Sequence, residues 1–285
     1  MRGAPDTMQV LRPRTPAEAV RLYGRHPEAM PLAGGTDFMV GWNAGLLNRR
    51  TVLDLSPLRA WKGIRRTRTG LVIGALATHA RIRDDVRVRA AFPLLAEAAS
   101  VVGAAAIQNR GTLGGNIANA SPAGDSFPPL AVYDAVVRTV SPDGNRRCSF
   151  LDVFAGPKKT TLGPAELIVA VDLPTLRKRP SRQMLRKIGT RAAQALSKTV
   201  AAGLLWLDSR GRVEELRFAL GAMAPTVRRL HAAEAYVLGR RLTPATVDRA
   251  VELLAEDVSP IDDIRSTAAY RLAVSRALLR RFLQS

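Results

Sequence analysis

Apolar positions in this chain come in short blocks cut by glycine, proline and charge, and their spacing predicts a mixture of helices and strands. Thr15-Pro16-Ala17-Glu18 is a capping box with proline at the first helical position, which predicts a helix over residues 16–25. Residues 29–32 are apolar and lead directly into Gly34-Gly35, the pattern of a strand ending in a phosphate-loop-like turn. Residues 51–55 and 71–75 read as strands from their β-branched content. Thr78 caps the helix that follows, Pro93 interrupts or bounds it, and residues 96–102 predict a helix feeding a second glycine-rich segment.

Past that segment, residues 135–140 and 147–151 flank Ser141-Pro142-Asp143-Gly144 as a hairpin. Residues 166–173 predict another strand, stopped by Pro174, and the polar, basic stretch 175–182 is the best candidate for a domain boundary. Beyond it come a strand over 183–188, a long hairpin (199–207 and 213–220) around Asp208-Ser209-Arg210-Gly211, and helices over 231–238, 244–256 and 267–282. The class is α+β. A single doubly wound parallel sheet is disfavoured, because strands come in hairpins and neither Gly-Gly segment fits the G-x-G-x-x-G fingerprint.

Composition narrows the chemistry. The 285 residues suffice for two or three compact units, and 47% hydrophobic with 24% charged content is ordinary for a globular protein. No apolar run approaches the ~20 residues of a membrane span, and residues 1–7 lack the apolar stretch of a secretory signal, so the chain reads as cytoplasmic. The single cysteine, Cys148, excludes an internal disulfide and any four-cysteine iron–sulfur cluster held by this chain alone. Cys148 reads as a structural thiol; His26, His79 and His231 are too scattered for a zinc site, and His79 and His231 read as structural or exposed. A net charge of +19 invites a nucleic-acid reading. Against it, arginine is spread over almost the whole chain and aromatics make up only 5%, so an arginine-biased composition with an acidic partner or anionic ligand explains the charge as well.

Two segments carry the candidate chemistry. Ala33, Gly34, Gly35, Thr36 and Asp37 form the first; Thr112 to Asp125, T-L-G-G-N-I-A-N-A-S-P-A-G-D, forms the second. Glycine lets a loop adopt positive φ and bring backbone N–H groups close to an anion. Two such loops, far apart in sequence, could hold one long nucleotide from both sides. Thr36 can donate to phosphate, while Asp37 caps the loop or accepts from other donors; a plain tight turn is the competing reading. In the second segment Thr112 and the N–H groups of Gly114, Gly115 and Asn116 suit pyrophosphate. Asn119 and Ser121 add donors, and Asp125 could accept from ribose hydroxyls or a flavin ring. Arg186-Lys187 followed by residues 189–194 reads either as a cation beside a flavin or as a solvated basic turn. Residues 156–160 form a further basic loop, suited to docking or solubility. No nucleophile–base array or P-loop lysine stands out.

Residues 31–37, 112–125, 156–162, 187–198 and 265–279 resemble, in that order, the FAD-binding medium subunit of the molybdenum hydroxylases, the xanthine dehydrogenase and carbon monoxide dehydrogenase group. The resemblance covers nearly the whole chain from Met8. It implies an FAD-binding domain over residues 8–175 with the p-cresol methylhydroxylase type of fold, in subdomains of about 8–60 and 61–175. A C-terminal α+β domain of the carbon monoxide dehydrogenase flavoprotein type follows, over 183–285. It implies further that residues 33–36 and 112–115 hold the FAD phosphates, that Asn116, Asn119 and Asp125 contact FAD further along, and that Lys187 lies near the isoalloxazine. A large molybdopterin subunit and a small subunit with two [2Fe–2S] clusters complete the expected complex, a dimer of heterotrimers. There FAD receives electrons from the clusters and passes them to NAD+ or another acceptor, while a substrate such as xanthine, another N-heterocycle or an aldehyde is hydroxylated elsewhere. The alternative is a stand-alone FAD-dependent oxidoreductase of the same fold.

Overall fold

The computed structural model describes residues 7–47, 50–191 and 194–285. The leader reading of residues 1–6 and the Ala192-Ala193 part of the basic turn lie outside the described residues.

A small parallel sheet opens the chain. Strand β1 (Gln9–Leu11), helix α1 (Pro16–Arg25), strand β2 (Met30–Leu32), helix α2 (Phe38–Asn43) and strand β3 (Thr51–Asp54) give the strand order β1-β3-β2. The Thr15 hydroxyl accepts from the Glu18 N–H at 3.2 Å, and the Glu18 carboxylate reaches back to the Arg14 N–H at 2.8 Å. That is the predicted cap, displaced by one residue at its return bond. Ala19 packs on Leu53, Leu55, Leu58 and Trp61, and the same cluster takes in Leu76 and Leu167 from the next unit. The two units thus share a core, and the loop leaving the carboxyl end of β2 is held against its neighbour.

The second unit is an antiparallel sheet of β4 (Ile64–Thr67), β5 (Gly70–Gly74), β6 (Val136–Ser141), β7 (Gly144–Ser149) and β10 (Leu167–Pro174), in the order β4-β5-β10-β6-β7. A two-stranded ribbon, β8 (Phe154–Gly156) and β9 (Lys159–Thr160), lies between β7 and β10. Six short helices separate β5 from β6: α3 (His79–Asp84), α4 (Val86–Ala91), α5 (Pro93–Val101), α6 (Ala105–Arg110), α7 (Leu113–Asn119) and α8 (Phe127–Val132). Caps set their boundaries. Thr78 accepts from the Arg81 N–H, Asp85 from those of Arg87 and Val88, and Pro93 opens α5. Every residue of α8 is buried.

Two expectations change here. Helix α6 stands between α5 and the second glycine segment, and half of that segment is helix α7 rather than loop. Its two glycines are poor helix formers. The seven-residue turn holds because Thr112 caps it and because Leu113 and Ile117, four residues apart, are fully buried.

The third unit is the sheet β11 (Arg182–Ile188), β12 (Thr199–Leu207), β13 (Val213–Gly221) and β14 (Arg228–Arg229), followed by α9 (His231–Val237), α10 (Pro244–Asp257) and α11 (Ala268–Gln284). Alternation along β12 sends Val200, Ala202, Leu204 and Trp206 into the core shared with α5 and α8. Ala201 and Leu205, with Phe218 and Leu220 of β13, face the terminal helices. Arg271 of α11 is 1% exposed; its guanidinium donates to the carbonyls of Lys198 and Ala222 and, at 2.7 Å, to Asp263. Hydrogen bonds from Arg265, with the charge of Arg271 behind them, hold the Asp263 carboxyl far below the usual carboxylate range.

That pair supplies a stability prediction. Asp263→Asn strands a buried guanidinium without its counter-charge and is expected to cost about 3 kcal/mol at pH 7. Because the folded carboxyl titrates lower than the unfolded one, the wild-type advantage is present above about pH 4 and is lost as pH falls further. Denaturant midpoints of both proteins at pH 7 and pH 3 should therefore converge on acidification.

Candidate functional site

The loop after β2 and the α6–α7 junction meet backbone to backbone. A Cβ at Gly34 would overlap the carbonyl oxygen of Arg110, and one at Gly111 would stand 3.5 Å from the Thr36 hydroxyl. Between them opens a cavity of about 620 Å³, closed on its other sides by β10 and the segment before it. Ala33, Gly34, Gly35, Thr36, Asp37, Thr112, Gly114, Gly115, Asn116 and Asn119 all line it. Ser121, Asp125 and Lys187 do not.

The two segments play different parts. In the second, the Gly114 N–H donates to the Ala75 carbonyl (2.8 Å), the Gly115 N–H to the Thr112 hydroxyl (3.1 Å) and the Asn116 N–H to the Thr112 carbonyl (2.9 Å). Those three protons, expected to face an anion, are spent inside the fold. In the first, the backbone N–H groups of Gly34, Gly35, Thr36, Asp37 and Phe38 make no hydrogen bond among the described residues. Gly35 at φ 76° turns this run towards the cavity. A run of unpaired backbone donors in a half-buried loop is open to an acceptor from water or a ligand. The free donors therefore belong to the first loop, while the glycines of the second supply clearance: a Cβ at Gly114 would press on Ala75 at 2.6 Å, and one at Gly115 on the Thr112 hydroxyl at 2.9 Å.

Asp37 occupies the cap position of α2 without capping it. Its carboxylate accepts from the Asn119 amide at 3.1 Å and from the Lys158 ammonium at 3.5 Å, and Lys158 also donates to the Asn119 side-chain oxygen at 2.6 Å. Lys158 sits at φ 58° in the β8–β9 turn, with its N–H bound to the Ala120 carbonyl. Three segments are thereby latched at the cavity's exposed edge. Sequence reasoning saw residues 156–160 only as a basic loop; the positive charge was visible, its partners 39 and 121 residues away were not.

The remaining candidates serve a second, buried cluster. The Lys187 ammonium donates to Asp125 at 2.6 Å and to the Val101 carbonyl at 2.8 Å, and the Ser197 hydroxyl donates to the other Asp125 oxygen at 2.6 Å. Burial pushes the Asp125 carboxyl above its ordinary range, against the opposing pull of Lys187 and Ser197. Ser121 accepts from the Ala123 N–H within its own turn, and Asn116 accepts from the Ser126 hydroxyl at 2.7 Å. His79 belongs to the cavity: it is 2% exposed and lines the floor between the two glycine segments. Among the described residues no cluster of histidine, cysteine or carboxylates could hold a metal, and no helix is long and apolar enough to cross a membrane.

Comparison with known proteins gives the family. Residues 6–176 match the family model described as the FAD binding domain in molybdopterin dehydrogenase, and residues 185–285 that of the CO dehydrogenase flavoprotein C-terminal domain. The chain is 31% identical over 273 residues to the xanthine dehydrogenase FAD-binding subunit of Escherichia coli O157:H7, covering 95% of this chain and 93% of that one. It is 28% identical to the carbon monoxide dehydrogenase medium chain of Hydrogenophaga pseudoflava, over 99% of this chain and 97% of the other. Among solved structures, quinoline 2-oxidoreductase from Pseudomonas putida 86 superposes with a TM-score of 0.91 at 25% identity, covering 100% of this chain and 97% of that chain. Carbon monoxide dehydrogenase from H. pseudoflava lacking the Mo-pyranopterin moiety gives the same TM-score of 0.91 at 28% identity, over 97% and 96%.

The loop contact makes a graded prediction. Gly34→Ala forces a methyl into the Arg110 carbonyl and should cost on the order of 3 kcal/mol, since backbone rather than a side chain must give way. Gly35→Ala has space, its nearest neighbour being Leu32 at 3.6 Å, and should cost only about 1–2 kcal/mol for the left-handed conformation. Denaturant unfolding of the two variants, side by side, checks the order.

Proposed function

The chain belongs to the FAD-binding medium subunits of the molybdenum hydroxylases, and from that premise we propose that it is the electron-transfer subunit of such a complex. On this reading it receives electrons from [2Fe–2S] clusters on a small partner subunit, after a large molybdopterin subunit has hydroxylated the substrate, and delivers them to NAD+ or another acceptor. Bound FAD supplies the one-electron and two-electron chemistry that links such clusters to such an acceptor.

One observation carries the proposal: five backbone donors with no hydrogen bond among the described residues, 34–38, belong to the lining of a cavity that the Gly114-Gly115 turn also lines. A diphosphate is the acceptor such an arrangement fits, because it offers several anionic oxygens to converging N–H groups and needs close backbone approach. Thr36 and Thr112 add hydroxyls, and Asn116 and Asn119 add amides along the same wall. The carboxylate of Asp37 would repel a diphosphate; Lys158 and Asn119 neutralise it and draw it aside. The resemblance places Asp125 further along FAD and Lys187 near the isoalloxazine, while Ser121 is a candidate donor by its own chemistry; the Lys187 ammonium is already paired with Asp125 at 2.6 Å, so on this reading it is the pair that lies on the isoalloxazine side.

The wider assembly follows from kinship. Relatives are named as medium chains or FAD-binding subunits, which supports a three-subunit unit, here taken as a dimer of heterotrimers. Relatives named for xanthine and nicotine support an N-heterocyclic substrate, with aldehydes as the other class; one relative is the glyceraldehyde dehydrogenase medium chain of Sulfolobus acidocaldarius. Those pockets would belong to the large subunit.

The purified chain should be yellow and release FAD on denaturation; a colourless protein that takes up no added FAD overturns the reading. Gly115→Val should abolish FAD retention with the far-ultraviolet circular dichroism unchanged. Lys158→Met should release FAD roughly fivefold faster, the scale of a partly exposed ion pair worth about 1 kcal/mol, read from stopped-flow fluorescence. A reduced cluster subunit mixed with the loaded chain and NAD+ should yield NADH.

A further inference from the structure

His79 is a buried polar side chain of the cavity lining for which the described residues provide no side-chain partner. It opens α3 and is pinned at its backbone, where its N–H donates to the Gly111 carbonyl at 3.0 Å. The preceding residue, Thr78, pairs with Thr112 in an isolated bridge, so the imidazole is fixed between the first glycine loop and the start of the second segment. A Cβ built on Gly111 would lie 3.4 Å from the ring and 3.5 Å from the Thr36 hydroxyl. No side chain at that position separates the imidazole from Thr36. Neither ring nitrogen has a hydrogen-bond partner among the described residues: Nδ1 is sealed from solvent, while Nε2 keeps a small accessible surface.

Nδ1 is sealed and stays without a partner, whereas Nε2, also unpaired among the described residues, is the ring nitrogen left for a ligand in the cavity that His79 lines. We propose that His79 is a nucleotide-binding residue whose neutral imidazole donates a hydrogen bond from Nε2–H to the diphosphate held by residues 34–38. The assignment rests on the reading of the cavity as the FAD site and adds to it a side-chain donor from a third segment. Burial alone lowers the imidazole pKa to about 4, so at neutral pH the ring carries one N–H and no charge. With Nδ1 enclosed and His79 in the cavity lining, the Nε2–H tautomer is the one that can serve an acceptor there. The Thr36 hydroxyl, which makes no hydrogen bond within the described chain, stands beside it for the same ligand. Neutral donors to a charged acceptor make stronger hydrogen bonds than neutral pairs, so the contribution is measurable.

Binding of FAD and of ADP to the flavin-free chain provides the test. His79→Leu should weaken both by about tenfold or more, the scale of a hydrogen bond to a charged group. His79→Gln, whose amide nitrogen reaches the position of Nε2, should recover affinity to within about threefold of wild type by the same reasoning. In the wild-type protein, long-range 15N spectra should show a neutral Nε2–H tautomer whose Nε2 resonance moves when ADP is added, a readout that survives if the leucine variant fails to fold. Equal ADP affinity in wild type and His79→Leu, or an Nε2 resonance indifferent to ADP, overturns the role of His79 while leaving the FAD site standing. A wild-type chain that binds neither FAD nor ADP overturns the cavity reading and this inference with it.

Discussion

The contact between the Gly34 backbone and the Arg110 carbonyl is the constraint on which the site depends. Two segments separated by most of a domain can come this close only where one of them has no Cβ. Their approach gives the cavity its two walls and turns the donors of residues 34–38 inward. Helices α6 and α7 are short, each of about two turns, and carry the chain to Arg110 and then away from it. The core shared by Ala19, Leu53, Leu76 and Leu167 holds the first unit on the second, so the approach is fixed by packing that continues into the cavity lining at Leu76 and Leu167.

Glycine is used in two distinct ways within this one site. In the first loop it frees the backbone to adopt a positive φ and leaves N–H groups unpaired; in the second it allows a helix to lie against Ala75 with its own N–H groups satisfied. Both uses produce a Gly-Gly pair followed by a polar residue, so composition alone gave the two segments the same role. The difference lies in Thr112, which caps α7 and thereby consumes the Gly115 proton. T-L-G-G could have been read as a capped helix start, but glycine's low helix propensity argued the other way.

Much of the fold was legible for local reasons. Thr15, Thr78 and Thr243 each announce a helix through a side chain that accepts from an N–H three residues on, and the 199–207/213–220 hairpin follows from apolar runs around Asp208-Ser209-Arg210-Gly211. The elements that escaped lack such signals. Strand β1 spans only three residues, β4 reads Ile-Arg-Arg-Thr with two exposed arginines, and α8 begins Phe-Pro-Pro-Leu and is buried on all sides. The polar pairings escaped for another reason. Asp37 with Asn119 and Lys158, or Asp125 with Lys187 and Ser197, join residues 62 to 121 positions apart, and no periodicity encodes which carboxylate meets which cation. His79 reads from the sequence as structural or exposed, and its place in the cavity lining is not visible until burial is known.

The buried Asp125–Lys187–Ser197 cluster is better understood as a register device than as a source of stability. The third unit joins the second through an apolar face in which Leu185, Val200, Ala202 and Leu204 meet α5 and α8. Apolar contact is non-directional and tolerates sliding. A buried ammonium that must reach one carboxylate oxygen and the Val101 carbonyl, while Ser197 takes the other oxygen, is satisfied in a single alignment. Exchanging such a pair for hydrophobic residues often leaves stability unchanged or improved, so its value lies in orientation. What it orients is β11 against the segment that leaves α7.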